Sequence, residues 1–102
     1  MRELTATDFE SATAKGRAVL DFWAPWCGPC KIFAPIFEAS AKEHASILFA
    51  KVNVDDEPDL SQRFSIRGIP TMVFLENGKE ISRISGAMGK PQFDQLLGQV
   101  FR

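Results

Sequence analysis

Two cysteines separated by two residues, in Trp26-Cys27-Gly28-Pro29-Cys30, stand between an apolar run and a segment of helical periodicity. Cysteines three apart at the start of a helix lie about one turn apart on one face, within disulfide-forming distance. A bridge there closes a very small loop, constrains little of the unfolded chain, and makes a poor structural staple. Cys27 falls at the expected helix N-terminus, where unpaired backbone N–H groups and the helix dipole favour a thiolate. Cys30, one turn inside, is expected to be more sheltered and to keep its proton longer. One exposed, activated sulfur and one buried, resolving sulfur is the arrangement that thiol–disulfide exchange needs. The plainer alternatives are two ordinary buried cysteines or half of a metal site.

Three further features favour the chemistry. Asp21 lies in the middle of Val19-Leu20-Asp21-Phe22-Trp23, where desolvation penalises a carboxylate. Placed a few residues before Cys27, it can accept the proton of the resolving thiol; the competing reading is a buried ion pair with a basic residue such as Lys51. Arg67-Gly68-Ile69-Pro70-Thr71 puts a proline just before a strand. It is a simple turn, or, if the Ile69–Pro70 bond is cis, an exposed backbone edge that a peptide can pair with. In Ser85-Gly86-Ala87, Gly86 permits close backbone approach after a strand, although many glycines in such places only end strands.

The elements that must position these residues alternate along the chain in an α/β pattern. Arg2 to Leu4 reads as a short edge strand. Thr7-Asp8-Phe9-Glu10 has capping-box spacing and predicts a short helix that Gly16 closes. Ala18 to Trp23 is apolar at both parities, a strand covered on both faces. From about Gly28 to His44 the period is helical, with Ile32, Phe33, Ile36, Phe37 and Ala41 on the inward stripe and Pro35 kinking the helix without ending it. Ile47 to Val54 is a second central strand, and Glu57-Pro58-Asp59-Leu60 opens a short helix with proline in its first turn. Thr71–Glu76 and Lys79–Ile84 flank Asn77-Gly78, the preferred two-residue hairpin turn. A last helix runs from about Lys90 to Phe101 with Phe93, Leu96, Leu97 and Val100 inward. The order is βαβαβαββα: strands joined by a crossover helix should be parallel, and the C-terminal hairpin antiparallel.

Composition limits the alternatives. The chain has 102 residues, enough for one core, and a single domain over 1–102 is expected. Twelve basic against thirteen acidic residues, mixed along the chain, leave a net charge of −1 and no basic stripe for nucleic acid or an anionic membrane. No apolar run approaches the ~20 residues that cross a bilayer, and the N-terminus lacks the apolar region of a signal peptide, so a cytoplasmic location is expected. Two cysteines and one histidine cannot supply the four ligands of a structural zinc site, and no metal is expected. His44 reads as a surface residue at a helix C-terminus. The nine phenylalanines read as core, and Asp55-Asp56-Glu57-Pro58-Asp59 as the charged start of a helix rather than a cation loop.

Taken together, Asp21-Phe22-Trp23-Ala24, Trp26 to Lys31, Ala34-Pro35, Lys51-Val52-Asn53-Val54-Asp55, Arg67 to Thr71, Asn77-Gly78 and Gly86-Ala87 closely resemble the thioredoxin family in order and spacing. The resemblance covers Phe9 to Phe101. It implies the thioredoxin fold, a five-stranded mixed central sheet flanked by four helices. It implies a redox-active Cys27–Cys30 disulfide with no bound cofactor, protein disulfides as substrates, and an NADPH-dependent flavoprotein (FAD) thioredoxin reductase as electron source. By resemblance Cys27 is the nucleophile, Cys30 the resolving thiol, Asp21 the buried acid–base group and Lys51 its neighbour. Gly28 and Pro29 support the site. Trp26, Ile69, Pro70 and Gly86 border the substrate groove, with Pro70 the cis-proline. Ser85 and Ser65 depart from the family's small apolar residue and its glycine, which bears on partner preference.

The expected activity is that of a monomeric dithiol reductant. Gly28-Pro29 brings no charge or imidazole that would over-stabilise the Cys27 thiolate and make the protein oxidising. An oxidase or isomerase, and a docking module whose Trp26–Pro70 surface acts independently of redox state, are the competing readings. Serine at both cysteines separates the last from the others, since docking alone would survive it.

Overall fold

The computed structural model describes all 102 residues, Met1 to Arg102. Five strands and four helices follow one another as β1 (Arg2–Glu3), α1 (Phe9–Thr13), β2 (Arg17–Trp23), α2 (Gly28–Glu43), β3 (Ile47–Asn53), α3 (Pro58–Arg63), β4 (Thr71–Glu76), β5 (Lys79–Ser85) and α4 (Lys90–Val100). The strands form one sheet in the order β1-β3-β2-β4-β5. β1, β3 and β2 run parallel, β4 is antiparallel to β2, and β5 is antiparallel to β4. The parallel pair β2–β3 is joined by the crossover helix α2, and β4–β5 by the Asn77-Gly78 turn. Both turn residues have positive φ, 51° and 82°, as a two-residue turn between right-twisted strands requires.

Side-chain alternation divides the core into two layers. Ala18, Leu20 and Phe22 of β2 join Phe9 of α1 and Leu60 of α3 on one face. Val19 of β2 joins Phe33 and Phe37 of α2 and Phe93 and Leu97 of α4 on the other. All nine phenylalanines are buried, and Phe93 meets Phe33 edge to face at 5.1 Å between ring centroids. Because α2 packs on the sheet through Phe33 and Phe37, its N-terminus is fixed above the ends of the central strands. The helix runs through Pro35 to Glu43. No helix is long and apolar enough to cross a membrane.

Three local expectations are corrected. The capping box at the first helix uses Thr5 and Asp8, not Thr7 and Glu10: the Thr5 N–H donates to Asp8 Oδ1 at 2.7 Å, and the Asp8 N–H to Thr5 Oγ1 at 3.4 Å. The same motif two residues earlier encloses the turn that precedes α1. Ile32, placed on the inward stripe of α2, is 69% exposed; the buried stripe runs Cys30, Phe33, Phe37, Ser40, which turns Ile32 toward solvent. His44 caps the C-terminus of α2 and is half-buried, stacked on Phe49 with Nε2 3.5 Å from Asp94 Oδ1.

Candidate active site

Cys27 is the N-cap of α2, with extended backbone, and its Sγ accepts the Cys30 N–H at 3.2 Å. Gly28 and Pro29 form the first two helical positions, where the missing N–H of proline costs nothing because that donor has no intrahelical partner. Cys27 and Cys30 are joined as a disulfide, with Cα atoms 5.2 Å apart. The expected difference in exposure is corrected: Cys27 is 5% exposed and Cys30 2%, because Trp23, Ala24, Val54 and Ile69 pack around the bridge. What separates the two sulfurs is position. Cys27 sits where the free N–H groups of the helix converge, and Cys30 lies within the first turn.

The surroundings of Cys27 come from three loops. Trp26 is 68% exposed, and its indole N–H donates to Asp55 Oδ2 at 2.9 Å, so a ring open to solvent is nevertheless held in place. Ile69–Pro70 is a cis peptide, and the Ile69 carbonyl oxygen lies 3.8 Å from Cys27 Sγ. Gly86 has φ +100°, a region closed to side chains, and its N–H donates to the Pro70 carbonyl at 2.8 Å. Ile69 thus touches Cys27 directly, Trp26 precedes it in the chain, and Gly86 is tied to the same place through Pro70. A groove of about 160 Å³ runs beside it between Trp26, Ile66 and Ile69. A larger cavity, about 430 Å³, opens next to Gly86 between β5 and α4.

The two departures from the resemblance differ in their local consequences. Thr71 Oγ1 gives its hydrogen to the Gly68 carbonyl at 2.6 Å, so the Ser85 hydroxyl donates to Thr71 Oγ1 at 2.9 Å and ties β5 to the loop before Pro70. Ser65 has φ +52° just beyond α3; its N–H donates to Gln62 O and that of Ile66 to Ser61 O, the two bonds of a Schellman ending. Glycine suits that place better than serine.

Asp21 is wholly buried on the face of the sheet that α2 covers, between Val19 and Trp23. Neither carboxylate oxygen has a hydrogen-bond partner. Burial pushes its pKa up to about 7; Lys51 opposes that rise and Glu3 adds to it. The competing reading of Asp21 as half of a tight ion pair is not what forms. Asp21 and Lys51 are register partners on β2 and β3, yet the Lys51 ammonium stands over the Trp23 ring, 4.2 Å from its centroid.

Sequence reasoning overlooked Glu3, Trp23 and Asp55 as parts of this site. In the sequence Asp55 reads as part of an acidic helix start, and Glu3 as part of a short edge strand from Arg2 to Leu4. Neither carries a local signal, because each reaches the site only through strand pairing or loop return. No group of three or more His, Cys, Asp or Glu side chains is arranged to hold a metal ion.

The thioredoxin family model matches residues 1–99. A thioredoxin of Chlamydia caviae is 36% identical over 99 residues, covering 97% of both chains. One from Mycoplasma pneumoniae is 42% identical over 90 residues, 88% of each, and thioredoxin-2 of Saccharomyces cerevisiae is 40% identical over 85 residues, 81% of this chain and 82% of its own. With a match over nearly its whole length and a close-spaced cysteine pair closed as a disulfide at a helix N-terminus, the chain belongs to the thioredoxin family and is a thiol–disulfide oxidoreductase whose redox group is the Cys27–Cys30 bridge itself.

Proposed function

We propose that the chain works as a single domain and a monomer, reducing protein disulfides, with Cys27 as nucleophile, Cys30 as resolving thiol and Asp21 as the acid–base group. In the dithiol form the Cys27 thiolate attacks one sulfur of a substrate disulfide. A Cys27–substrate bond forms, and the other substrate sulfur leaves as a thiolate that takes a proton from solvent. Asp21 then accepts the Cys30 proton, and the Cys30 thiolate attacks Cys27 Sγ. The second substrate sulfur leaves and the Cys27–Cys30 disulfide closes. Two electrons pass to the substrate.

The observation that carries this division of roles is the placement of Cys27 as N-cap with its Sγ accepting the Cys30 N–H, while Cys30 lies inside the first turn of the helix that covers the sheet face holding Asp21, a buried carboxylate without a hydrogen-bond partner. The Ile69 carbonyl beside Cys27 Sγ, the held Trp26 ring and the Gly86 turn supply an edge against which an extended segment beside the substrate disulfide can lie. The uncharged Gly28-Pro29 pair favours the reducing direction. An NADPH-dependent flavoprotein thioredoxin reductase returns the disulfide to the dithiol, and the cytoplasm is the compartment that keeps it reduced.

Insulin-disulfide reduction tests the reading, driven once by NADPH with thioredoxin reductase and once by dithiothreitol. Turnover in both is expected. No turnover in either overturns the reductant role, whereas turnover with dithiothreitol alone overturns only the reductase partner.

A further inference from the structure

Glu3, Lys51 and Asp21 stand side by side on β1, β3 and β2, since Lys51 is the register partner of both carboxylates. Strand partners project to the same face, so Lys51 stands between one solvent-exposed acid and one fully buried acid. It forms an ion pair with neither and stands over the Trp23 indole, 4.2 Å from the ring centroid. That ring is itself held, because Trp23 Nε1 donates to Glu3 Oε1 at 3.3 Å. Glu3 therefore fixes the surface on which Lys51 rests.

We propose that Glu3 is a positioning residue of the redox site: by pinning the Trp23 indole it keeps the Lys51 ammonium on the ring face and off the Asp21 carboxylate, leaving Asp21 unpaired and able to exchange its proton. A cation over an aromatic face gains roughly 0.5–2 kcal/mol, enough to decide between two nearby resting places for a flexible ammonium. If the ring is released, Lys51 moves toward the buried carboxylate, where an opposite charge favours ionisation. No other charge offsets this. Met72, opposite Asp21 on β4, is neutral, and Cys27 and Cys30 do not titrate while bridged. The charged side chains of α2 (Lys31, Glu38, Lys42, Glu43) are exposed, and on α4 Lys90 pairs with Asp94.

The inference rests on the acid–base role proposed for Asp21, and its test has a readout that does not. In the oxidised protein the Asp21 carboxyl carbon is titrated by NMR. Glu3→Gln keeps an acceptor for the indole and removes only the charge; Glu3→Ala removes both. Both variants should lower the midpoint, Glu3→Ala further, by on the order of half a pH unit beyond Glu3→Gln. Trp23→Phe, which keeps a ring but loses the N–H, should also lower it. Equal midpoints for Glu3→Gln and Glu3→Ala would mean that Glu3 acts only as a distant charge, and would overturn the positioning role, as would an unmoved midpoint in Trp23→Phe. The pH profile of mixed-disulfide resolution should move with the NMR midpoint. A profile that stays put while the midpoint moves leaves the positioning role standing and removes Asp21 from the chemistry.

Discussion

Replacing Asp21 by Asn should make the oxidised protein more stable at neutral pH, and by an amount that grows with pH. Asp21 is buried without a hydrogen-bond partner, and its pKa is raised from the ordinary 3.8 to about 7. With the folded value above the unfolded one, the native state holds a proton that the unfolded chain releases. Stability is therefore greatest below the unfolded value and falls as pH rises toward the folded one. A rise of about 3 units corresponds to a loss of roughly 4 kcal/mol, nearly complete at pH 7 and level above it. Asparagine carries no charge to desolvate, so the variant lacks this loss. Its own N–H donors find no acceptor there, which returns about 1–3 kcal/mol at every pH, and the net gain at pH 8 should be roughly 1–3 kcal/mol. Urea unfolding of both proteins between pH 4 and 8 gives the comparison, the oxidised form being used so that neither cysteine titrates. The gap between variant and parent should widen by roughly 4 kcal/mol across that range, a shift of more than ~1 M in the urea midpoint. A gap that is constant with pH, or that narrows as pH rises, would refute the reasoning, because a stabilising ion pair has the opposite slope. In the reduced enzyme the same variant should resolve mixed disulfides more slowly, since an amide cannot take the Cys30 proton.

Cys27→Ser should abolish insulin reduction, while Cys30→Ser should accumulate covalent complexes with substrate that dithiothreitol releases; equal alkylation rates of the two thiols at pH 7 would contradict the assignment. Lys51→Met should raise the Asp21 pKa above about 7, because Lys51 is the charge that lowers it, and the decline of stability should then continue beyond pH 8 instead of levelling off. A plateau unchanged from the parent in urea unfolding between pH 6 and 9 would count against it. Ser65→Gly should stabilise by up to about 1.5 kcal/mol, since φ +52° costs a side chain about 1–2 kcal/mol and the extra freedom of glycine in the unfolded chain takes back about 0.5–1 kcal/mol. Thermal unfolding of the variant and the parent reads the difference, and a lower midpoint for the glycine variant would falsify the strain.

The order of elements, the central strands, the hairpin turn and the cysteine pair are legible in the chain, because each rests on a local rule. Apolar residues at both parities mark Ala18–Trp23 as buried on both faces, Asn77-Gly78 takes the positive φ values that few other pairs tolerate, and Cys-x-x-Cys at a helix start brings its sulfurs within one turn. Local rules also misplaced what they could. The capping box of Thr7 and Glu10 competes with an equally good one at Thr5 and Asp8, and Ile32 fits the helical stripe of α2, yet the way that helix meets the sheet buries Phe33 and Phe37 and leaves Ile32 outside. What surrounds the sulfurs follows from long-range packing alone. Gly86 meets Pro70 across β4 and β5, Asp55 reaches Trp26 from the far end of β3, and Glu3 reaches Trp23 through the pairing of β1 with β3. These contacts join residues 16 to 29 positions apart, where sequence spacing no longer limits distance. The same holds for Asp21: the sequence places it in a strand beside Lys51, but whether the lysine pairs with it or rests on an indole depends on which of two nearby surfaces the fold holds rigid.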